Sequence, residues 1–198
     1  MKKRIAILAS SSGTNAENLV SHFAHHPDIE VATVITNRRK AGVIDRLRPL
    51  GIEVQYFGKE CWADMTTIVS YLQQLRVDLV VLAGFLLIVR EPLLTAYAGR
   101  IINIHPSLLP RHGGMFGANV HQAVLDAGDR QTGITIHLVN DQVDGGPILA
   151  QATCPVLPDD TADTLAARVH QLEYTHLPQL IEQYLASMSA AGEANSAH

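Results

Sequence analysis

Asn103 and His105 are polar side chains in the otherwise apolar run Arg100-Ile-Ile-Asn-Ile-His, which ends where Pro106 turns the chain. In an extended strand, positions i and i+2 share a face, roughly 7 Å apart. An amide and an imidazole therefore look into one small space. Further along, Asp144-Gly-Gly-Pro sets a carboxylate on a turn whose glycines allow close backbone approach. A neutral donor, a titratable ring and a carboxylate are the parts needed to collapse and re-form a carbonyl during group transfer. A free imidazole titrates near about 6.5 and a neighbouring carboxylate favours its cation. His105 beside Asp144 is thus expected to be partly cationic at neutral pH, stabilising an oxyanion or handing a proton to a departing amine. Asn103 would donate to the same oxyanion without changing charge. The plain alternative is a buried His and Asn satisfied by backbone groups; three groups with matching roles count against it. Ser107 has no evident base partner, so a serine nucleophile is not expected.

A second polar cluster, Ser10-Ser-Ser-Gly-Thr-Asn15, sits where a first strand should pass into a first helix. Helix N-termini offer free amides and the positive end of the macrodipole, and small residues let a phosphate approach. Gly13 supplies backbone freedom, and Thr14 and Asn15 add side-chain donors. The same residues also make an ordinary capping turn. The pattern is neither Gly-x-Gly-x-x-Gly nor a Walker loop, so dinucleotide and ATP binding lack support.

The elements that carry these residues are legible in the hydrophobic pattern. Apolar runs at 4–9, 29–36, 52–56, 78–83 and 100–104 alternate with helical patterns at 16–23, 41–50, 64–75, 92–97 and 118–126. This predicts an α/β fold with a mostly parallel open sheet covered by helices on both faces. Segments 132–139 and 147–155 read as a mixed or antiparallel C-terminal extension. Residues 161–185 form a long helical pattern, with Pro178 expected to kink or divide it. One domain over 1–186 and a disordered tail over 187–198 are expected.

Composition narrows the class. A 47% hydrophobic, 17% charged chain is of ordinary globular type, and a net charge of -4 argues against a general nucleic-acid binder. No apolar run reaches the roughly 18 residues of a membrane span. The two cysteines, Cys61 and Cys154, suggest no disulfide framework and fit a reducing cytoplasm. No metal is expected.

Five segments together resemble the folate-dependent formyltransferases, and within them the members that formylate glycinamide ribonucleotide in purine synthesis. They are Ser12-Gly-Thr-Asn15, Val80-Val-Leu-Ala-Gly-Phe85, Asn103-Ile-His-Pro-Ser-Leu-Leu-Pro110, Gly133-Ile-Thr-Ile-His137 and Asp144-Gly-Gly-Pro147. The resemblance runs from about Lys3 to Tyr184. It implies a Rossmann-like fold and 10-formyltetrahydrofolate as formyl donor, with the amine of 5'-phosphoribosylglycinamide as acceptor. Both are small molecules, handled by a cytoplasmic monomer or homodimer without metal. The catalytic set is Asn103, His105 and Asp144, and the acceptor is held by Gly13, Thr14, Asn15 and Glu173. Leu86, Leu87, Ile88 and Val89, with Asn103, receive the folate, and His170 lies one turn before Glu173. His137 and Thr135 contribute to the site wall, His137 as a supporting hydrogen-bonder.

Two departures stand out. Leu86-Leu87 replaces a common Met-Arg, and the segment after Pro110 is a longer glycine-rich loop, Arg111-His-Gly-Gly-Met-Phe-Gly. His112, Asn119 and His121 there carry no assigned role. The alternatives are a sugar-nucleotide N-formyltransferase, a formyltetrahydrofolate hydrolase, or a non-catalytic nucleotide- or folate-binding module.

Overall fold

The computed structural model describes residues 1–196. Seven strands form one sheet: β1 (Lys3–Leu8), β2 (Ile29–Thr36), β3 (Val54–Tyr56), β4 (Leu79–Leu82), β5 (Ile101–His105), β6 (Gln131–Leu138) and β7 (Ile148–Pro155). Their spatial order is β3-β2-β1-β4-β5-β6-β7. The first five strands run parallel, β6 runs antiparallel to β5, and β7 antiparallel to β6. The α/β architecture with an antiparallel extension is the one expected.

The apolar runs are continuous because both faces of the central strands are covered. In β1, Ile5 and Ile7 enter one core while Ala6 and Leu8 enter the other; in β4, Leu79 and Val81 separate from Val80 and Leu82 in the same way. The first core is covered by α1 (Thr14–Phe23), α2 (Gly42–Leu47) and α7 (Ala162–Ser196), the second by α3 (Lys59–Asp64), α4 (Thr66–Gln74) and α5 (Leu93–Ala96). On β5, Ile102 and Ile104 belong to the first core and Ile101 to the second. Asn103 and His105 continue the Ile101 face beyond its helical cover. That is why polar residues are tolerated there.

Three local expectations are corrected. The helix expected over 64–75 is two helices, because Met65 adopts a left-handed conformation (φ 56°) and Asp64 then caps the Thr66 N–H at 3.0 Å. The third strand starts at Val54 rather than Ile52. Pro178 does not divide α7, which continues to Ser196. Leu177, Ile181, Leu185 and Met188 all pack on the first core, and that burial offsets the roughly 3 kcal/mol that an internal proline costs. The tail expected from 187 is therefore helical as far as Ser196, and 197–198 lie outside the described residues. No helix among the described residues is long and apolar enough to cross a membrane.

Chain order leaves β1 for β2 and β3 on one side, then returns to β4 and β5 on the other. The reversal makes the β1/β4 boundary the place where open α/β sheets bind ligands, outside the carboxyl ends of the strands. Here the two strand exits are tied together. Ser10 N–H donates to Gly84 O at 3.0 Å, and Leu86 N–H donates to Ser10 Oγ at 2.9 Å.

Candidate active site

β5 and β6 set the candidate catalytic groups in register: Asn103 lies opposite His137, and His105 opposite Thr135. Asp144 reaches them from the β6–β7 connection, with its backbone left-handed at φ 52°. Gly146 makes that turn possible, because a Cβ there would overlap the carbonyl of Leu138. The Asp144 carboxylate accepts the Gly114 N–H at 2.8 Å through Oδ2, which also lies 3.4 Å from His105 Nδ1. Its Oδ1 lies 3.4 Å from Asn103 Nδ2 and 3.5 Å from His137 Nε2. The three residues singled out in the sequence meet in one place.

The hydrogen-bond chemistry orients each group. His137 Nδ1 is 2.8 Å from the Leu138 carbonyl, which can only accept, so Nδ1 carries a proton. In the neutral ring Nε2 is then an acceptor, and Asn103 Nδ2 donates to it at 3.0 Å. The second Asn103 amide hydrogen faces Asp144 across the longer 3.4 Å contact. That weaker bond is the one a developing oxyanion can take over.

His105 differs from the expectation of a partly cationic ring. Its side chain is 4% exposed, and burial, the largest influence, pushes its pKa below the ordinary value despite the opposing pull of Asp144. The carboxylate is divided among Gly114, Asn103, His137 and His105, and it is not aligned for a direct hydrogen bond to His105. The resting ring is therefore neutral at pH 7. His105 Nε2 lies 3.1 Å from the His112 carbonyl and so holds the proton, leaving Nδ1 with a lone pair toward Asp144. Only the doubly protonated ring satisfies both neighbours. The pocket is built to accept a proton during reaction rather than to hold one beforehand. Burial alone would raise the pKa of Asp144, but hydrogen bonding, the Gly114 N–H included, outweighs it and holds the carboxyl below the usual range.

At the other end, Gly13 precedes α1 with φ 75°, and no side chain caps the helix. The first-turn amides are consequently free for an anion. Space also demands glycine, since a Cβ at 13 would lie 2.5 Å from Val43 Cβ. Gly13→Ala is expected to cost about 1–3 kcal/mol of stability through strain. It should also raise the KM for a phosphorylated substrate about tenfold, equivalent to about 1.4 kcal/mol. Thermal unfolding and initial rates check both, and an unchanged KM would count against an anion site here. Arg46 donates to Ser12 O and to Glu17, both at 2.8 Å, which steadies the loop and offsets the one acid in the first turn.

Asn15 has an internal partner as well: its side-chain amide donates one N–H to Glu173 Oε2 at 2.8 Å. Glu173 is 4% exposed and also binds His170 Nδ1 at 2.8 Å. That bond raises the His170 pKa. Glu173 on α7 is thus tied to the loop before α1.

A cleft of about 340 Å³ runs from Ser11, Ser12, Thr14 and Asn15 past Glu173 to His105. A smaller cleft of about 60 Å³ is lined by Leu87, Ile88, Val89 and Val139. Phe85, Asn103, Phe116 and Asp144 line both. Asn103 and Asp144, two of the candidate catalytic groups, thus stand in the partition between the two clefts. Of the expected folate wall, Leu87, Ile88 and Val89 face the smaller cleft, whereas Leu86 faces the larger one. Thr135 is not part of either wall: its hydroxyl donates to Ser107 O and accepts from Leu109 N–H, pinning the turn after β5.

Three participants had no signal of their own in the sequence. His112 holds His105 through its carbonyl and is itself fixed by Asp129 at 2.8 Å. Gly114 supplies the N–H that seats Asp144, and Phe116 stands between the clefts. All three belong to the glycine-rich loop, which joins α6 (Ala118–Asp126). Its glycines were visible, but not their targets.

Residues 3–181 match the family described as formyl transferase. The chain is 37% identical to the Haemophilus influenzae phosphoribosylglycinamide formyltransferase over 92% of its own length and 87% of that protein's. It is 34% identical to the Drosophila melanogaster trifunctional purine biosynthetic protein adenosine-3, covering 91% of this chain and 14% of that one. Among solved structures, the phosphoribosylglycinamide formyltransferase of Bacillus halodurans superposes with a TM-score of 0.84 at 37% identity, covering 92% of this chain and 95% of that one. A buried Asn–His–Asp set between two clefts, on this sheet, with this similarity along the chain, has one consequence: the chain belongs to the formyl transferase family.

Proposed function

We infer that the protein transfers the formyl group of 10-formyltetrahydrofolate to the amine of 5'-phosphoribosylglycinamide, a step of purine biosynthesis, and that residues 1–186 act as a single formyltransferase domain. The observation that carries this reading is the partition itself, with Asn103 and Asp144 open to an anion-ended cleft on one side and an apolar cleft on the other. The phosphate rests on the amides of Gly13, Thr14 and Asn15, and the sugar lies against Glu173. The folate enters along Leu87, Ile88 and Val89, with Leu86 at the border and Asn103 at the formyl group. Unpaired Cys61 and Cys154 accord with a cytoplasmic setting, and the protein acts there as a monomer or homodimer.

The chemistry follows from a neutral His105. The acceptor amine attacks the formyl carbon, and the carbonyl electrons move onto oxygen, where the Asn103 amide donates to the oxyanion. The attacking nitrogen becomes acidic. His105 takes its proton, becoming the imidazolium that Asp144 and the His112 carbonyl both satisfy. It then passes that proton to N10 as the C–N10 bond breaks and the formyl group re-forms on the acceptor. One ring thus moves one proton from incoming to outgoing nitrogen. No covalent enzyme intermediate is required, because the amine is itself the nucleophile.

Purified protein given both substrates should consume 10-formyltetrahydrofolate and form the formylated acceptor one for one, and neither substrate alone should turn over. Folate consumption independent of amine would point to a hydrolase and sink the reading. Equal rates with amino-sugar nucleotides would shift it to the sugar-nucleotide class.

A further inference from the structure

His121 is used by none of these steps, yet it lines the larger cleft together with His105, His170 and Glu173. It projects from α6 and is 3% exposed. Its Nδ1 is fully enclosed with no hydrogen-bond partner. Buried polar atoms without partners are rare in folded proteins and call for an explanation. Its neighbours are otherwise engaged: Glu173 is held by Asn15 and His170, and the His170 ring meets His121 edge-on at 6.4 Å between centroids.

The enclosure of Nδ1 fixes the tautomer. An orphaned buried N–H is rarer than an orphaned lone pair, so the proton resides on Nε2, the nitrogen left facing the cleft. Burial, and after it the nearby His170, push the His121 pKa down, with Glu173 pulling less strongly the other way. The ring is an uncharged donor. It stands between the sugar end at His170 and Glu173 and the reacting end at His105. An acceptor whose phosphate rests on α1 and whose amine meets His105 passes its linking amide across this wall. That amide's carbonyl oxygen is the acceptor atom a single N–H there would meet.

We propose that His121 Nε2–H donates to the amide carbonyl oxygen of the acceptor, making α6 the element that selects aminoacyl-amide substrates over simple amines. The assignment rests on the acceptor reading given above. It also gives the buried ring a purpose, since its open nitrogen is completed only when substrate is present.

Equilibrium binding of glycinamide ribonucleotide and of its thioamide analogue, whose sulfur is a poor acceptor, tests this in the wild type, His121→Leu and His121→Gln. His121→Leu should weaken binding of the amide about tenfold or more and that of the thioamide far less. The KM for 10-formyltetrahydrofolate should stay within about twofold, the change belonging to one substrate. His121→Gln, which keeps an N–H at similar reach, should recover part of the loss, and thermal unfolding of both variants checks that the fold is intact. Equal losses for amide and thioamide, or none for either, overturn the assignment. Failure of the wild type itself to bind the ribonucleotide removes the underlying acceptor reading instead, a distinct result.

Discussion

Replacing His105 by alanine is expected to lower kcat by about 100-fold or more, while the protein remains folded and KM values change little. The ring carries the proton that the proposed reaction relocates. His137 is committed to the Leu138 carbonyl and Asn103. The pH profile separates this role from a cationic one. Because burial lowers the His105 pKa, the free enzyme should stay competent as pH rises past 6.5. The rate should then climb until the acceptor amine, near about 8, is neutral. A ring required as a cation would instead lose activity over that same interval. Stability gives a second reading. A histidine whose folded pKa lies below its ordinary value binds protons more readily in the unfolded chain. The native state is therefore favoured above pH 6.5 and loses that advantage as pH falls toward the folded pKa. Wild type should show a steeper fall in Tm between pH 7 and 5 than the alanine variant. Near-normal turnover in His105→Ala would end the proposed mechanism.

Asp144→Asn should be nearly as damaging to turnover, about 100-fold in kcat. The substitution is a clean one. Asparagine is among the few side chains that accept the left-handed backbone found here, φ 52°, and its carbonyl oxygen can still take the Gly114 N–H. What disappears is the negative charge, which matters when His105 becomes an imidazolium. That interaction exists in the transition state and not in the resting pair. Hence kcat and kcat/KM should fall together, with little change in KM. The carboxylate also contributes to stability. Its folded pKa is held below the usual range, so its contribution is present above about pH 3.8 and fades as pH drops through the folded value. At neutral pH the variant should therefore unfold at a slightly lower temperature. A variant with wild-type kcat would leave Asp144 as a structural pin of the loop.

How much of this was legible in the sequence depended on how local the cause was. Asn103 and His105 share a face because strand geometry alone dictates it, and Gly13 marks a turn whose left-handed backbone few side chains accept. The parallel sheet followed from runs such as Leu79-Val-Val-Leu82, apolar on both faces. The break at Met65 was hidden, since a left-handed methionine has no compositional mark. The continuity of α7 through Pro178 depends on burial against distant strands, which outweighs what proline does locally. The protonation of His105 was misjudged because proximity to Asp144 was visible while the degree of enclosure was not. Asn15 was legible as a donor near the loop, but its bond to Glu173, far away in the chain, was not. The tasks of His112 and Gly114 arise only when their loop closes over the sheet.

The bond between Asn15 and Glu173 joins positions 158 apart. The loop between β1 and α1 is local in sequence, whereas the wall opposite it comes from α7. The pocket proposed for the nucleotide is therefore walled only once α7 has packed back onto the loop before α1. On the proposed reading, an occupied pocket fastens α1 to α7, so bound substrate would act as a clasp that resists peeling of α7 from the body of the protein.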